Sequence, residues 1–284
     1  MSYRIIYISI YLFSLLPFWV LYRISDLCYL LVYKVFKYRV QVVQENLKNA
    51  FPDKSVDELK VIKRKYYLHL CDLLVESLKL LSVSEKALGK RITLVNKEDA
   101  NAYEGQKKQS IFLLGHLGNW EWAIPTCATK INLPLNVVYH PLSNKGFDKV
   151  MQKIRTRFGA TTTPMAQTAR AFIKSSNTDT ATALVADQTP SNRNNTWLNF
   201  LNQDTLVFHG PEKLARKFGT PVFYIGISKS KRGHYTISPE LLTKDASQLE
   251  EGELTKMFFE ALEKDIQQSP SIWLWSHRRW KHKR

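Results

Sequence analysis

Cysteine is scarce in this chain: three in 284 residues, Cys28, Cys71 and Cys127, none in a C-x-x-C pair or beside a histidine at metal-ligand spacing. That scarcity argues against a disulfide framework or a metal site and fits free thiols buried in a domain kept reduced in the cytoplasm. Glycine-rich phosphate loops are missing too. There is no Walker sequence, and Gly115-x-x-Gly118 falls short of a dinucleotide fingerprint. Nor is there an acidic tail, a low-complexity tract or a fixed-period repeat, so nothing points to a solenoid. Negative charge is also in short supply, with 25 Asp+Glu against 41 Lys+Arg and a formal net charge of +16. Such a chain seeks anionic partners, whether nucleic acid, acidic lipid headgroups or an acidic protein. Its hydrophobic content of 44% supplies a substantial core and argues against disorder.

Charge is absent altogether from Ile5 to Tyr22, IIYISIYLFSLLPFWVLY, a run of 18 residues. At about 1.5 Å per residue it is just long enough to cross a bilayer core of about 30 Å. A second apolar stretch, Leu27 to Tyr33, follows closely, so the two could make one spanning helix or two short helices embedded in one leaflet. No small-x-small cleavage site follows and aromatic residues crowd the end of the run, which favours a retained anchor over a signal peptide. Tyr3, Tyr7, Trp19, Tyr22 and Tyr29 suit an interfacial belt, while Arg23, Lys34, Lys37 and Arg39 collect on the far side. That bias places the rest of the chain in the cytoplasm, against the anionic leaflet. The expectation is an N-terminal membrane-anchoring helix within residues 1–40, then one α/β domain over 41–284. A buried hairpin is the alternative, favoured by Pro17 and the shortness of the run.

Beyond the anchor, Pro52 should end a short helix that includes Val43 to Ala50. Ser55-Val56-Asp57-Glu58 reads as a capping box, opening an amphipathic helix that runs to about Leu81. Leu59, Ile62, Tyr66, Leu70, Leu73 and Leu74 give that helix its apolar stripe. From residue 110 short apolar runs alternate with helical patterns, which predicts an α/β sheet with covering helices. The candidate strands are Ser110 to Gly115, Asn136 to Tyr139, Ala181 to Ala186, Pro221 to Ser228 and His234 to Ser238. Phe147 to Phe158 and Pro211 to Phe218 read as helices, with Pro211 in a first turn and Gly219 as a C-terminal cap.

The strand SIFLLG delivers His116 to a strand end, where α/β proteins gather ligands and reactive groups. Glu121 follows five residues later. A tight turn through Gly118 would let its carboxylate reach the imidazole and fix the tautomer. This is the base-and-orienter half of a catalytic triad, with no serine or cysteine nucleophile beside it in sequence. Direct attack by a substrate hydroxyl, deprotonated by His116, is therefore expected, with backbone N–H groups near Gly118 and Asn119 as donors to the developing oxyanion. Arg155 is a candidate anion ligand, although its neighbours Lys153 and Arg157 also permit a solvated charged face. Asp187 and Gln188 follow an apolar strand and should enter the same cleft or serve a turn. The basic tail from Arg278 and Arg279 to Arg284 interleaves charge with Trp280, as a clamp for phosphates or an acidic protein, or else as an unstructured tail.

The H-x4-E spacing from His116 to Glu121 resembles the H-x4-D/E motif of glycerolipid and lipid A acyltransferases. The chain is similar in particular to the late, or secondary, lipid A biosynthesis acyltransferases, and the likeness spans nearly its whole length. It is carried by Asn46-Leu47 with Ala50-Phe51-Pro52, then Glu76, then Val138-Tyr139-His140-Pro141 with Asn144, Phe147-Asp148, Arg155 and Gly159. Ala186-Asp187-Gln188 with Phe200, Phe208 to Gly210 and Leu214-Ala215 continues it, and Pro270, Trp273, Trp275, His277, Arg278, Arg279, Trp280 and Lys281 close it. One departure is His140, where many members carry Arg, so no anion-binding role is carried over to that position. The resemblance implies a glycerolphosphate-acyltransferase-like mixed sheet and His116 and Glu121 as catalytic residues. From the residues themselves, Asn119, Arg155, Asp187, Gln188, Arg278 and Arg279 are the expected substrate-binding residues, and with no metal or nucleotide motif visible no metal and no cofactor are expected. An acyl carrier protein thioester would be the donor, a hydroxyl of a lipid A precursor the acceptor, and the cell inner membrane the location.

Two rival readings remain at this level. The same base chemistry serves another lipid acceptor, such as a glycerophospholipid or an aminolipid, and a non-catalytic lipid-binding protein would keep the anchor without needing both His116 and Glu121. Nucleic-acid binding suits the charge, but no nucleic-acid module occurs in the sequence.

Overall fold

The computed structural model describes residues 3–190 and 196–284. Two helices open the chain, α1 (Tyr3–Leu15) and α2 (Phe18–Tyr29), the second continuing through a wider turn, Leu30–Val35. Pro17 cannot continue the first helix, and the two directions differ by 113°. Among the described residues no single helix is long and apolar enough to cross a membrane, so of the two arrangements the sequence allows for the anchor, the single spanning helix is not formed; the bent pair passes that test only as a broken unit. The pair lies on the body of the protein, and Ser14, Leu21, Ser25 and Tyr29 are buried. Lys79 donates to the carbonyls of Ser14 and Leu16 at 2.6 and 2.9 Å, which satisfies the end of α1. Ser25 donates to Asp72 at 2.7 Å and Tyr22 to Glu76 at 2.9 Å. The outward face stays apolar: Ile5, Ile8, Leu12, Leu15, Trp19, Leu27, Leu30, Val35 and Phe36 are exposed, Trp19 by 71% and Phe36 by 73%.

Helices α3 (Val40–Ala50) and α4 (Val56–Lys79) follow. Ser55 and Glu58 form the capping box the sequence predicts, each satisfying the other's backbone N–H. Short elements α5 (Glu85–Gly89), β1 (Ile92–Leu94) and α6 (Lys97–Asn101) lead into β2 (Ser110–Leu114), α7 (Trp120–Lys130), β3 (Leu135–Tyr139), α8 (Lys145–Thr156), β4 (Thr161–Pro164), α9 (Thr168–Lys174) and β5 (Ala181–Val185). A two-stranded hairpin, β6 (Thr196–Phe200) and β7 (Gln203–Val207), precedes α10 (Gly210–Phe218), β8 (Val222–Lys231), β9 (His234–Thr243) and α11 (Glu253–Gln268).

The main sheet has seven strands in the order β1-β9-β8-β2-β5-β3-β4. It is mixed, because β8 and β9 pair antiparallel while the other neighbours are parallel. Alternation along β2 supplies both cores: Ile111 and Leu113 face α11 and the tryptophans of the C-terminal segment, while Phe112 and Leu114 face α7 and α8. All five residues of β2 are buried, as a central strand covered on both faces requires.

The turn between β2 and α7 depends on Gly118. Its φ is +58°, and a Cβ there would sit 2.5 Å from Cγ2 of Ile227 on β8. Gly118→Ala should therefore cost about 2–4 kcal/mol, combining left-handed strain with overpacking. In urea unfolding, adding Ile227→Ala should remove the crowding component but not the backbone component, so Gly118→Ala should cost less in that background than in the wild type. Equal costs in both backgrounds would contradict this account.

Candidate active site

Strands β2 and β5 run parallel, with Leu114 opposite Val185, and the Ala186 N–H donates to the Leu114 carbonyl at 3.0 Å. Two residues further along each strand, the register sets His116 beside Asp187. One Asp187 oxygen lies 2.6 Å from His116 Nδ1, and the other accepts from the His116 backbone N–H and from Trp273 Nε1, both at 2.8 Å. Burial by itself would raise the Asp187 pKa, but the His116 charge and these three donors outweigh it and hold the carboxyl at about 2. An ionised carboxylate only accepts hydrogen bonds, so Nδ1 carries a proton, and in the neutral form of the ring Nε2 is the nitrogen that bears the lone pair. Nε2 is 3.2 Å from Gln188 Nε2, which can donate to it.

Asp187, not Glu121, thus holds the imidazole, which corrects the sequence-based expectation. Glu121 is the second residue of α7, and its two oxygens accept from Arg155 of α8 at 2.6 and 3.0 Å. Both partners are nearly buried and both line the same cavity as His116. The Arg155 charge is therefore already balanced, and an anion could use it only by competing with Glu121. Trp120 stands edge-on to the His116 ring at 4.9 Å.

The cavity has a volume of about 540 Å³ and opens at the C-terminal ends of β2, β5 and β3. Its walls are largely apolar, including Ile124, Val137, Leu184, Met165, Phe208 and Leu214, and its polar groups include His116, Glu121, Arg155, Gln188, His140 and Lys213. That is the size and composition of a site for an elongated apolar ligand with one polar, reactive end. His140 and Lys213 are exposed. Lys213, which the sequence reading passed over, has no carboxylate partner among the described residues.

Other expected site residues turn out to build the frame. Asn119 is fully buried; it caps α7 by accepting from the Trp122 N–H at 3.0 Å and donates to Glu76 at 2.8 Å. Glu76 also accepts from Tyr22 and Tyr235, and burial pushes its carboxyl above the usual range. The Gly118 N–H is taken by the Ile272 carbonyl at 3.0 Å, which removes it from the expected oxyanion donors. Arg279 is 1% exposed, donates to the Leu206 carbonyl and lies over the Phe259 ring, so it packs the core and cannot clamp a headgroup. Arg278 is exposed. The C-terminal segment is ordered around the site: Leu117 pairs with Trp273, Asn46 holds the Trp275 and His277 carbonyls, and Trp280 donates to Thr205. Among the described residues no group of three His, Cys, Asp or Glu side chains is placed to hold a metal ion.

A family model described as bacterial lipid A biosynthesis acyltransferase matches residues 2–282. The chain belongs to that family. No curated protein matches it. For a lipid A biosynthesis acyltransferase, a histidine and carboxylate meeting at strand ends over an apolar cavity is a geometry suited to acyl transfer. The spacing from His116 to Glu121 marks the turn, while the carboxylate against the ring comes from the neighbouring strand. The signal for it was present in the sequence as a polar Asp-Gln directly after an apolar strand.

His69 of α4 supports the same turn. Its Nε2 lies 3.1 Å from the Gly118 carbonyl and its Nδ1 3.2 Å from Lys229 Nζ. Burial, then the Lys229 charge, lowers its pKa from 6.5 to about 3. The folded protein keeps His69 neutral while an unfolded chain's histidine takes up a proton, so this contribution to stability is whole above pH 6.5 and falls as pH drops toward 3. His277, lowered by burial to about 4, acts in the same direction. His69→Gln can retain the bond to Gly118 and removes one titrating ring. Urea-unfolding free energies measured at pH 5.5 and 4.5 should then show a slope shallower by up to about 1.4 kcal/mol per pH unit. An unchanged slope would mean that His69 is not held neutral.

Proposed function

We propose that this acyltransferase moves a fatty acyl group from an acyl carrier protein thioester to a hydroxyl of a lipid A precursor, with His116 as general base. The observation that carries the reading is the His116–Asp187 pair at the edge of an apolar cavity, with Nδ1 against the carboxylate and Nε2 beside Gln188. The acceptor hydroxyl replaces Gln188 at Nε2 and gives up its proton as its oxygen attacks the thioester carbonyl carbon. Asp187 stabilises the imidazolium that forms. The tetrahedral intermediate collapses with cleavage of the carbon–sulfur bond, and the departing thiolate takes the proton from Nε2. The products are an ester and a free carrier thiol, and no covalent enzyme intermediate is required. For the oxyanion we favour the Asn119 backbone N–H at the positive end of α7. The acyl chain occupies the apolar walls, and Lys213 at the rim is better suited than Arg155 to meet a phosphate of either substrate.

The expected kinetics follow from one unit of two residues. His116→Ala should lose on the order of 10²–10⁴-fold in rate, Asp187→Asn a comparable amount, and the double variant little more than either. Glu121→Gln should lose no more than His116→Ala, since it weakens the Arg155 pair and leaves the base in place. Near-UV circular dichroism checks that each variant is folded. A folded His116→Ala protein transferring at the wild-type rate would sink the mechanism.

We further propose that the protein works at the cytoplasmic face of the inner membrane, the exposed apolar side of α1 and α2 lying in one leaflet. This rests on the row of exposed large side chains opposite the packed face, flanked by Arg23, Lys34, Lys37 and Arg39. Vesicles containing brominated anionic lipid should quench part of the tryptophan fluorescence, and Trp19→Phe should abolish most of that quenching. Quenching that is absent, or unchanged by Trp19→Phe, would contradict this placement.

A further inference from the structure

A second cavity, of about 660 Å³, lies between α3, the first turns of α4 and the tip of the β6–β7 hairpin. Gln44, Leu47, Lys48 and Phe51 line one side at helical spacing, Val56, Leu59, Lys60 and Lys63 the other, and Asn202 and Gln203 close one end. Its floor is apolar, formed by Leu47, Phe51 and Leu59. Four lysines, Lys48, Lys54, Lys60 and Lys63, stand along it, and among the described residues no acidic side chain lines it. Only Lys60 has a carboxylate partner among the described residues, Asp57 at 2.9 Å. Lys63 is partly buried and donates to the uncharged Gln44 side chain at 3.0 Å, and its pKa is lowered by burial and by Lys60. Nothing in the acyl-transfer chemistry above uses this groove.

Its placement ties it to the active site. Asn49 donates to Gln203 and Asn202 to the Ala50 carbonyl, so the groove and the hairpin tip form one surface. From Gln203, β7 leads to Phe208 in the wall of the first cavity, five residues on, or about 17 Å along an extended strand. The groove's other anchor is the C-terminal segment: Phe51 packs on Trp275, two residues from the Trp273 that holds Asp187.

We propose that this lysine-walled groove is the docking surface for the acyl carrier, receiving an acidic amphipathic helix whose apolar ridge lies on Leu47, Phe51 and Leu59 and whose carboxylates meet the lysines. The inference rests on the carrier-borne donor proposed above. A paired-helix groove with an apolar floor is the shape that takes a helix, and uncompensated lysines select an acidic one. The separation from the first cavity requires that the thioester be carried on a long flexible arm, which a carrier supplies and a free lipid headgroup does not.

The test is steady-state kinetics with two donors, the acyl group on the carrier and the same acyl group on a truncated pantetheine thioester, for wild type and for Lys48→Glu/Lys63→Glu. The ratio of the carrier KM to the truncated-donor KM should rise on the order of tenfold or more in the variant. It should fall toward the wild-type ratio when the intermediate variant Lys48→Gln/Lys63→Gln is used, which also serves if charge reversal impairs folding. An unchanged ratio in folded variants overturns the docking assignment, and a raised KM for the lipid acceptor alone overturns it in favour of an anionic headgroup. A wild-type protein that accepts the truncated thioester but never the carrier would instead overturn the donor reading on which the inference depends.

Discussion

A carboxylate cut off from water keeps its charge only if enough donors converge on it, and Asp187 meets that condition from three directions: the backbone and ring of His116 and the indole of Trp273. These bonds fasten the end of β2, the end of β5 and the C-terminal segment to one point. The C-terminal segment in turn is held by Asn46 on α3 and by Tyr66 on α4, whose hydroxyl accepts from the Ser276 N–H. The position of the His116 ring is therefore set by the whole fold rather than by the local turn. Removing any one donor would leave a buried charge short of a partner, which is a more severe defect than losing one neutral hydrogen bond.

A second buried carboxylate, Glu76, plays the equivalent part on the other side of the turn. It gathers Asn119 at the start of α7, Tyr235 on β9 and Tyr22 on α2. The N-terminal helices are thereby joined to the same frame as the turn between β2 and α7. A pair of helices bent at Pro17, packed on one side and apolar on the other, reconciles two features that conflict in the sequence: a run without charge, and one too short to be a comfortable span.

Much of the frame was legible before the structure. Ser55 and Glu58 mark the start of α4, Pro211 and Gly219 bracket α10, and the apolar runs at Ser110, Ala181 and Pro221 fall on β2, β5 and β8. The β6–β7 hairpin escaped because its turn uses Leu201 and Asn202 at positive φ, without the glycine that usually signals such a turn. β4 is a thin, threonine-rich edge strand with little apolar content, and α11 was not anticipated. The error over Glu121 has a plain cause. Spacing along the chain places a carboxylate near a histidine, but the helix turns Glu121 toward α8 and Arg155, while strand register, a non-local quantity, places Asp187 at the ring. The basic tail misled for the same reason, since Arg279 looks like surface charge until the core around it is known.

The central claim is that Asp187 dictates which nitrogen of His116 is available to take a proton. Nitrogen-15 NMR of histidine-labelled protein at pH 8, with His116 assigned by its loss in His116→Ala, reads this directly. The account predicts a protonated Nδ1 and a lone-pair-bearing Nε2, with that preference lost in Asp187→Asn. A ring protonated at Nε2 in the wild type, or a tautomer indifferent to the substitution, would contradict it.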